Sequence, residues 1–323
     1  MKYVVVLCDG MSDYPIEKLQ NKTPMECAKK PFIDSLAQNG ELFLVKTVPD
    51  GLKPGSDVAN LSVMGYNPEE VYTGRSPLEA ASIGVSLLEN DTAFRANLVT
   101  LSGEGEYEDL TMEDYSSGEI STEESTELVK FLAENLTTDI TKFYPGVSYR
   151  HLMVWNGYDK ISSFTPPHDI LGKVIGDYLP KEDKLREMME KSYDILNNHP
   201  LNVERAAKGL HKANSIWFWG AGTRPALDSF EEKTGKKGVM ISAVDLLKGI
   251  AIGAGMKVIE VPGADGTLHT NYVGKAQAAV DALTKDGYDF AYVHVEAPDE
   301  MGHQGSLPNK LEAIESLDSK VIR

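Results

Sequence analysis

Tyr3-Val4-Val5-Val6-Leu7-Cys8-Asp9-Gly10 opens the chain. Its apolar run has no polar alternation, the pattern of a strand buried on both faces in a parallel sheet. Asp9-Gly10 then stops it. A second such run, Phe290-Ala291-Tyr292-Val293-His294-Val295, leads through Ala297-Pro298 to Asp299 and His303. In open parallel sheets, ligands gather outside the carboxyl ends of the strands. Ser56 follows Pro54-Gly55 and opens an apolar-periodic stretch to Gly65, so it is expected to cap a helix N-terminus. Two aspartates, a histidine and a serine are thus offered to one sheet edge. That set suits metal ions and a serine nucleophile.

Outward from these runs, strand and helix signals alternate. Thr23-Pro24-Met25-Glu26 reads as a capped helix start, and 31–38 as a helix. Residues 41–48 read as a strand. After the middle of the chain come a helix at 181–197, strands at 215–219, 238–242 and 257–261, a helix from Val244, and another at 274–285. This order predicts an α/β protein with a doubly wound, mostly parallel sheet. Between about Asp91 and Tyr178 the pattern changes to short strands (95–101, 151–155, 161–163) around an acidic helix, 121–135. A smaller α+β domain over 89–178, inserted into a core of 1–88 and 179–323, is the predicted organisation. Leu307, Leu311, Ile314, Leu317 and Val321 carry one helical face almost to Arg323 with no stop signal, which reads as a fragment of a longer chain.

Composition narrows the function classes. The 323 residues are 41% hydrophobic and 25% charged, as in globular proteins, with a net charge of −17. That balance argues against nucleic-acid or anionic-membrane partners. No apolar stretch is long enough for a membrane span, and the start lacks the features of a signal peptide. A cytoplasmic protein is expected, with oligomerisation left open. Cys8 and Cys27, the two cysteines, make neither a disulfide framework nor a zinc cluster.

Each chemistry-bearing position also has a plainer reading. Asp9-Gly10 could be a turn, Ser56 a simple cap, and Asp299 with His303 a salt-linked loop. Arg75, Arg95, Arg150 and Lys248 are candidate anion clamps, and each alone could be a surface charge. His168-Asp169 could titrate or orient, or be a structural pair. Gly220-Ala221-Gly222 and Gly263-Ala264-Asp265-Gly266 complete neither a dinucleotide fingerprint nor a P-loop.

In combination these segments resemble the cofactor-independent phosphoglycerate mutases of the archaeal type, within the alkaline phosphatase superfamily. The residues carrying the resemblance span the chain: Asp9-Gly10, Pro54-Gly55-Ser56-Asp57, Tyr72-Thr73-Gly74-Arg75, Asp245-Leu246-Leu247-Lys248-Gly249, Thr270-Asn271-Tyr272-Val273-Gly274-Lys275 and Ala297-Pro298-Asp299-Glu300-Met301-Gly302-His303. The resemblance implies an alkaline phosphatase-like core and conversion of 3-phosphoglycerate to 2-phosphoglycerate through a phosphoserine on Ser56, independently of 2,3-bisphosphoglycerate. It implies two divalent ions, manganese foremost, with magnesium or zinc as alternatives. Asp9 and Ser56 would serve one, Asp299 and His303 the other. Lys248 would lie near the transferring phosphate. Arg150, Arg75, His168 and Asp169 would bind substrate.

Two departures accompany it. The family continues past Lys320 with an Asp-His pair and a further histidine, whereas this sequence has no Asp-His pair and no histidine after His303. The 323 residues alone are therefore expected to bind metal weakly and turn over little, and a longer parent to be active. Asn60 stands where many archaeal members carry histidine, a variant shared with relatives that look like homoserine kinases. Homoserine phosphotransfer is the alternative reading.

Overall fold

The structure is a computed structural model that describes residues 1–160 and 164–323. The strand expected over 161–163 lies outside the described residues. Among the described residues nine strands run in chain order: β1 (Tyr3–Cys8), β2 (Asp91–Ser102), β3 (Thr111–Asp114), β4 (Thr141–Tyr144), β5 (Arg150–Asn156), β6 (Ser215–Thr223), β7 (Gly238–Ile241), β8 (Lys257–Val258) and β9 (Phe290–Val295). They form two compact units, one of Met1–Val71 with Ala226–Arg323, the other Tyr72–Pro225.

The first unit holds a parallel sheet in the order β1-β9-β7-β8. The pairing of β1 with β9 runs in register from Tyr3↔Phe290 to Cys8↔Val295. Side chains alternate along β9. Ala291 and Val293 join a core with Ala279, Ala282 and Leu283 of the helix Tyr272–Thr284. Tyr292 and His294 therefore point to the other face. There the helix Asp245–Gly253 packs on the helix Ser56–Val63. At the chain's end, the helix Leu307–Leu317 runs on through a π-turn, Asp318–Ile322. The buried Asp318 carboxylate accepts the N–H of Ile33, satisfying one of the unpaired donors in the first turn of the helix Pro31–Asn39 (2.7 Å).

The second unit is antiparallel. Its long central strand β2 pairs with β5 on one edge and with β6 on the other, while β3 joins its C-terminal end and β4 pairs with β5. One face carries Phe94, Ala96, Leu98, Met153 and Phe218. These form a buried cluster with Leu128 and Leu132 of the helix Thr122–Leu136 and with Leu185 and Met189 of Asp183–Leu196. Ser121 caps the first of these helices by accepting the N–H of Glu124.

The α/β class and the parallel sheet match the sequence reading, but "mostly parallel" describes the first unit only. The unit boundaries fall at 71/72 and 225/226, so 72–88 and 179–225 belong with the antiparallel sheet. The alternation that seemed to resume after 178 is misleading there, because β6 completes the β2 ladder. Residues 41–48 form no strand, and Leu42, Phe43, Leu44 and Val45 are exposed. Strand propensity is expressed only against a pairing partner, and no strand among the described residues pairs with this segment. Likewise 257–261 yields only the two-residue β8.

Phe94 is fully buried and meets Tyr158, Phe164 and Phe218 edge-on. Phe94→Ala is expected to cost about 3–5 kcal/mol, read as a lowered urea midpoint in far-UV circular dichroism.

Candidate active site

Asp9 leaves the end of β1 beside the end of β9. Gly10 follows at φ 60°, where a Cβ would lie 2.3 Å from Asp299 Cα. Only glycine permits that approach. His294 Nε2 donates to Asp9 Oδ2 (3.1 Å), and His294 Nδ1 meets Ser242 Oγ (3.2 Å), itself fixed by the N–H of Val244 (3.0 Å). The His294 hydrogen bond, reinforced by the charges of His294 and His303, holds the Asp9 carboxyl below the usual range despite burial. Asp299 and His303 sit four residues apart on the helix Ala297–His303, with Oδ2 and Nε2 3.3 Å apart. Burial, then repulsion from Asp9, raises the Asp299 carboxyl, and burial raises Glu296 beside them.

Ser56 is the first residue of its helix, and Gly55, not Ser56, is the N-cap. Ser56 is exposed and makes no capping bond. Its carbonyl accepts from Asn60 Nδ2 (2.8 Å), and Asn60 Oδ1 accepts from the Tyr292 hydroxyl (2.6 Å). The serine's turn is thereby tied to β9, two residues before His294. Asn60 has both ends of its amide engaged within the fold.

Carboxylates and imidazoles are apt donors for manganese, zinc or magnesium. Asp9, held in place by His294, and the pair Asp299 and His303 are the donors on offer, and the mutual repulsion of Asp9 and Asp299 is of the kind a cation relieves. In kind, the residues fit divalent ions. Among the described residues no group of three His, Cys, Asp or Glu side chains has metal-ligand spacing. Lys248 pairs with Glu260 (3.0 Å) and more distantly with Asp245 (3.9 Å).

The second unit gathers the arginines. On the β2 face opposite its core, register puts Arg95 beside Leu152 and Trp219, and Asn97 beside Arg150 and Trp217. Arg95 lies over the Trp219 ring (4.9 Å) and binds Asn97 (3.2 Å) and Glu79 (2.8 Å). Arg75, next to the helix Ser76–Ser82, binds the same Glu79 oxygen (2.8 Å). Arg150 lies 5.8 Å from the Tyr149 ring. His168 packs its ring on Trp219 and Tyr115, while His168 and Asp169 are 3.8 Å apart and exposed. Burial, then the charges of Arg95 and Arg150, push the His151 imidazole down to about 3. This is a locally cationic, aromatic-lined face on an acidic protein. Gly222 also finds its role here, since a Cβ would meet the Thr73 carbonyl at 2.5 Å. With Gly74, whose Cβ would meet the Ala221 carbonyl at 2.5 Å, it lets the Arg75 loop lie against the end of β6.

The family described as 2,3-bisphosphoglycerate-independent phosphoglycerate mutase matches residues 37–202. A probable mutase of that description from Geobacter sulfurreducens is 51% identical over 100% of this chain and 80% of its own length. The chain belongs to this family. The mutase from Methanosarcina acetivorans is 50% identical with the same coverage. Among solved structures, a Pyrococcus horikoshii protein matches with a TM-score of 0.80 at 30% identity, covering 99% of this chain and 77% of its own. The cofactor-independent mutase of Thermoplasma acidophilum matches at 0.61 and 27%, covering 99% and 82%. These likenesses give the homoserine alternative no support.

The structure thus groups Asp9 with Asp299 and His303, and separately Arg75 with Arg95. Sequence reasoning singled out neither His294, Tyr292 nor Glu79. The signal for the first two was present, because Tyr292 and His294 are polar-tipped residues at period two inside an apolar strand. Tyr292→Phe, which strands the buried Asn60 oxygen, is expected to cost about 1–3 kcal/mol, measurable as a lowered melting temperature.

Proposed function

We propose that this mutase interconverts 3-phosphoglycerate and 2-phosphoglycerate through a phosphoserine on Ser56, without 2,3-bisphosphoglycerate. The observation that carries this reading is the hydrogen-bonded path from the Ser56 carbonyl through Asn60 to Tyr292, on the strand that also holds Asp9's partner His294. In this reading the parallel unit is the alkaline phosphatase-like core and the antiparallel unit the substrate-holding cap. The setting in this reading is cytoplasmic glycolysis.

Asp9 and Ser56 would hold one divalent ion, preferably manganese, and Asp299 and His303 a second. Bound ions would supply positive charge that lowers the proton affinity of the serine hydroxyl and offsets charge on the phosphoryl oxygens. The protein's own residues do the rest. His294 fixes the carboxylate of Asp9. N–H groups of the first turn after Ser56 favour a phosphate there. Lys248 lies on the helix packed against the Ser56 helix, and its ammonium would exchange Glu260 for the phosphate. Arg75, Arg150, His168 and Asp169 would bind the carboxylate and phosphate of the substrate. The glycerate must stay held while its hydroxyls exchange places, which favours several modest contacts over one tight one.

Incubation with 3-phosphoglycerate and excess manganese, which offsets the weak metal binding expected of these 323 residues, should yield detectable 2-phosphoglycerate and a phosphopeptide containing Ser56. Ser56→Ala should abolish both while keeping substrate binding. Unchanged conversion by that variant, or phosphate on another residue, would sink the reading. His294→Ala, which frees the Asp9 carboxylate, should weaken manganese binding by about tenfold or more, measured by titration calorimetry.

A further inference from the structure

We propose that Glu79 is the positioning residue of the cationic face, orienting Arg75 for the anionic substrate by tying it to an immobile Arg95. The proposal rests on the phosphoglycerate reading above. A single oxygen, Glu79 Oε1, accepts from Arg75 Nε and from Arg95 Nη1, both at 2.8 Å. The two guanidinium groups differ in kind. The Arg95 side chain is only 6% exposed, and it is held in addition by Asn97 and the Trp219 ring. Asn97 Oδ1 in turn accepts from Trp219 Nε1 (3.1 Å), which closes the frame. The Arg75 side chain is 40% exposed, the part of this group that solvent and an anion can reach. Without an anchor, a long arginine side chain loses much rotamer freedom when it binds. Fixing its Nε beforehand lowers that cost, and it aims the planar guanidinium.

Charge alone makes the opposite forecast. A carboxylate beside an anion site repels the anion, so neutralising it should tighten binding. The sign of the effect therefore separates a positioning role from a purely electrostatic one.

The test is calorimetric titration of 3-phosphoglycerate, with manganese present, into the 323-residue protein and three variants. Glu79→Gln should weaken binding by about tenfold although it removes a negative charge. Glu79→Asp keeps the charge but loses one methylene of reach, and should weaken binding too. Glu119→Gln removes a charge that acts on the neighbouring Tyr149 without touching an arginine. It should leave binding unchanged or slightly tighter. Equal or tighter binding by Glu79→Gln overturns the proposal. If that variant does not fold, wild-type affinity in Glu79→Asp overturns it. If the unsubstituted protein fails to bind 3-phosphoglycerate, the functional reading falls. Inorganic phosphate titrated into the same set then decides the role of Glu79, by the same order of affinities.

Discussion

The pairing of β1 with β9 is the contact on which the candidate site depends. It joins the two ends of the chain in parallel, and no short turn can set its register. The register comes from the apolar faces. Ala291 and Val293 must meet the helix Tyr272–Thr284, and a slip of one residue would turn them outward. Once they are seated, Leu7 stands opposite His294, and Asp9 comes within hydrogen-bond reach of its imidazole. The burial of one alanine and one valine of β9 thus determines the placement of the carboxylate.

The same alternation explains how an apolar strand can carry polar groups. Tyr292 and His294 sit on the face opposite the main core, and each is fully engaged. Tyr292 reaches Asn60, and His294 bridges Asp9 and Ser242. Buried polar groups are tolerated when every donor and acceptor has a partner. In the second unit, β2 follows the same logic on a larger scale. Phe94, Ala96 and Leu98 serve the core, while Arg95 and Asn97 face the aromatic-lined cationic side.

Much of this was legible in the sequence where a residue's own neighbours determine its state. The strands 3–8 and 290–295, the capping box at Thr23 and the i, i+4 pair Asp299–His303 are local patterns, and they appear where expected. What was hidden depends on partners remote in sequence. The run 41–48 looks like a strand but has no strand to join. The run 215–219 looks like the next strand of the parallel sheet, yet pairs antiparallel with β2. Glu79 looks like an ordinary helical acid until Arg95 arrives from the next strand. Gly220-Ala221-Gly222 completes no nucleotide motif, and its last glycine makes room for the Thr73 backbone. Lys248 has the chemistry of a phosphate contact, and its ammonium is occupied by Glu260.

The unit Tyr72–Pro225 is one uninterrupted stretch, whereas the other is assembled from both flanks. During synthesis the flanks cannot close until β9 leaves the ribosome, because β1 has its sheet partner there. The contiguous unit needs nothing beyond Pro225 and can complete its ladder first. For that interval β1 remains an apolar strand without its sheet partner, a segment open to wrong pairing. The order of appearance of the segments, as much as their final packing, then shapes how efficiently this protein is made.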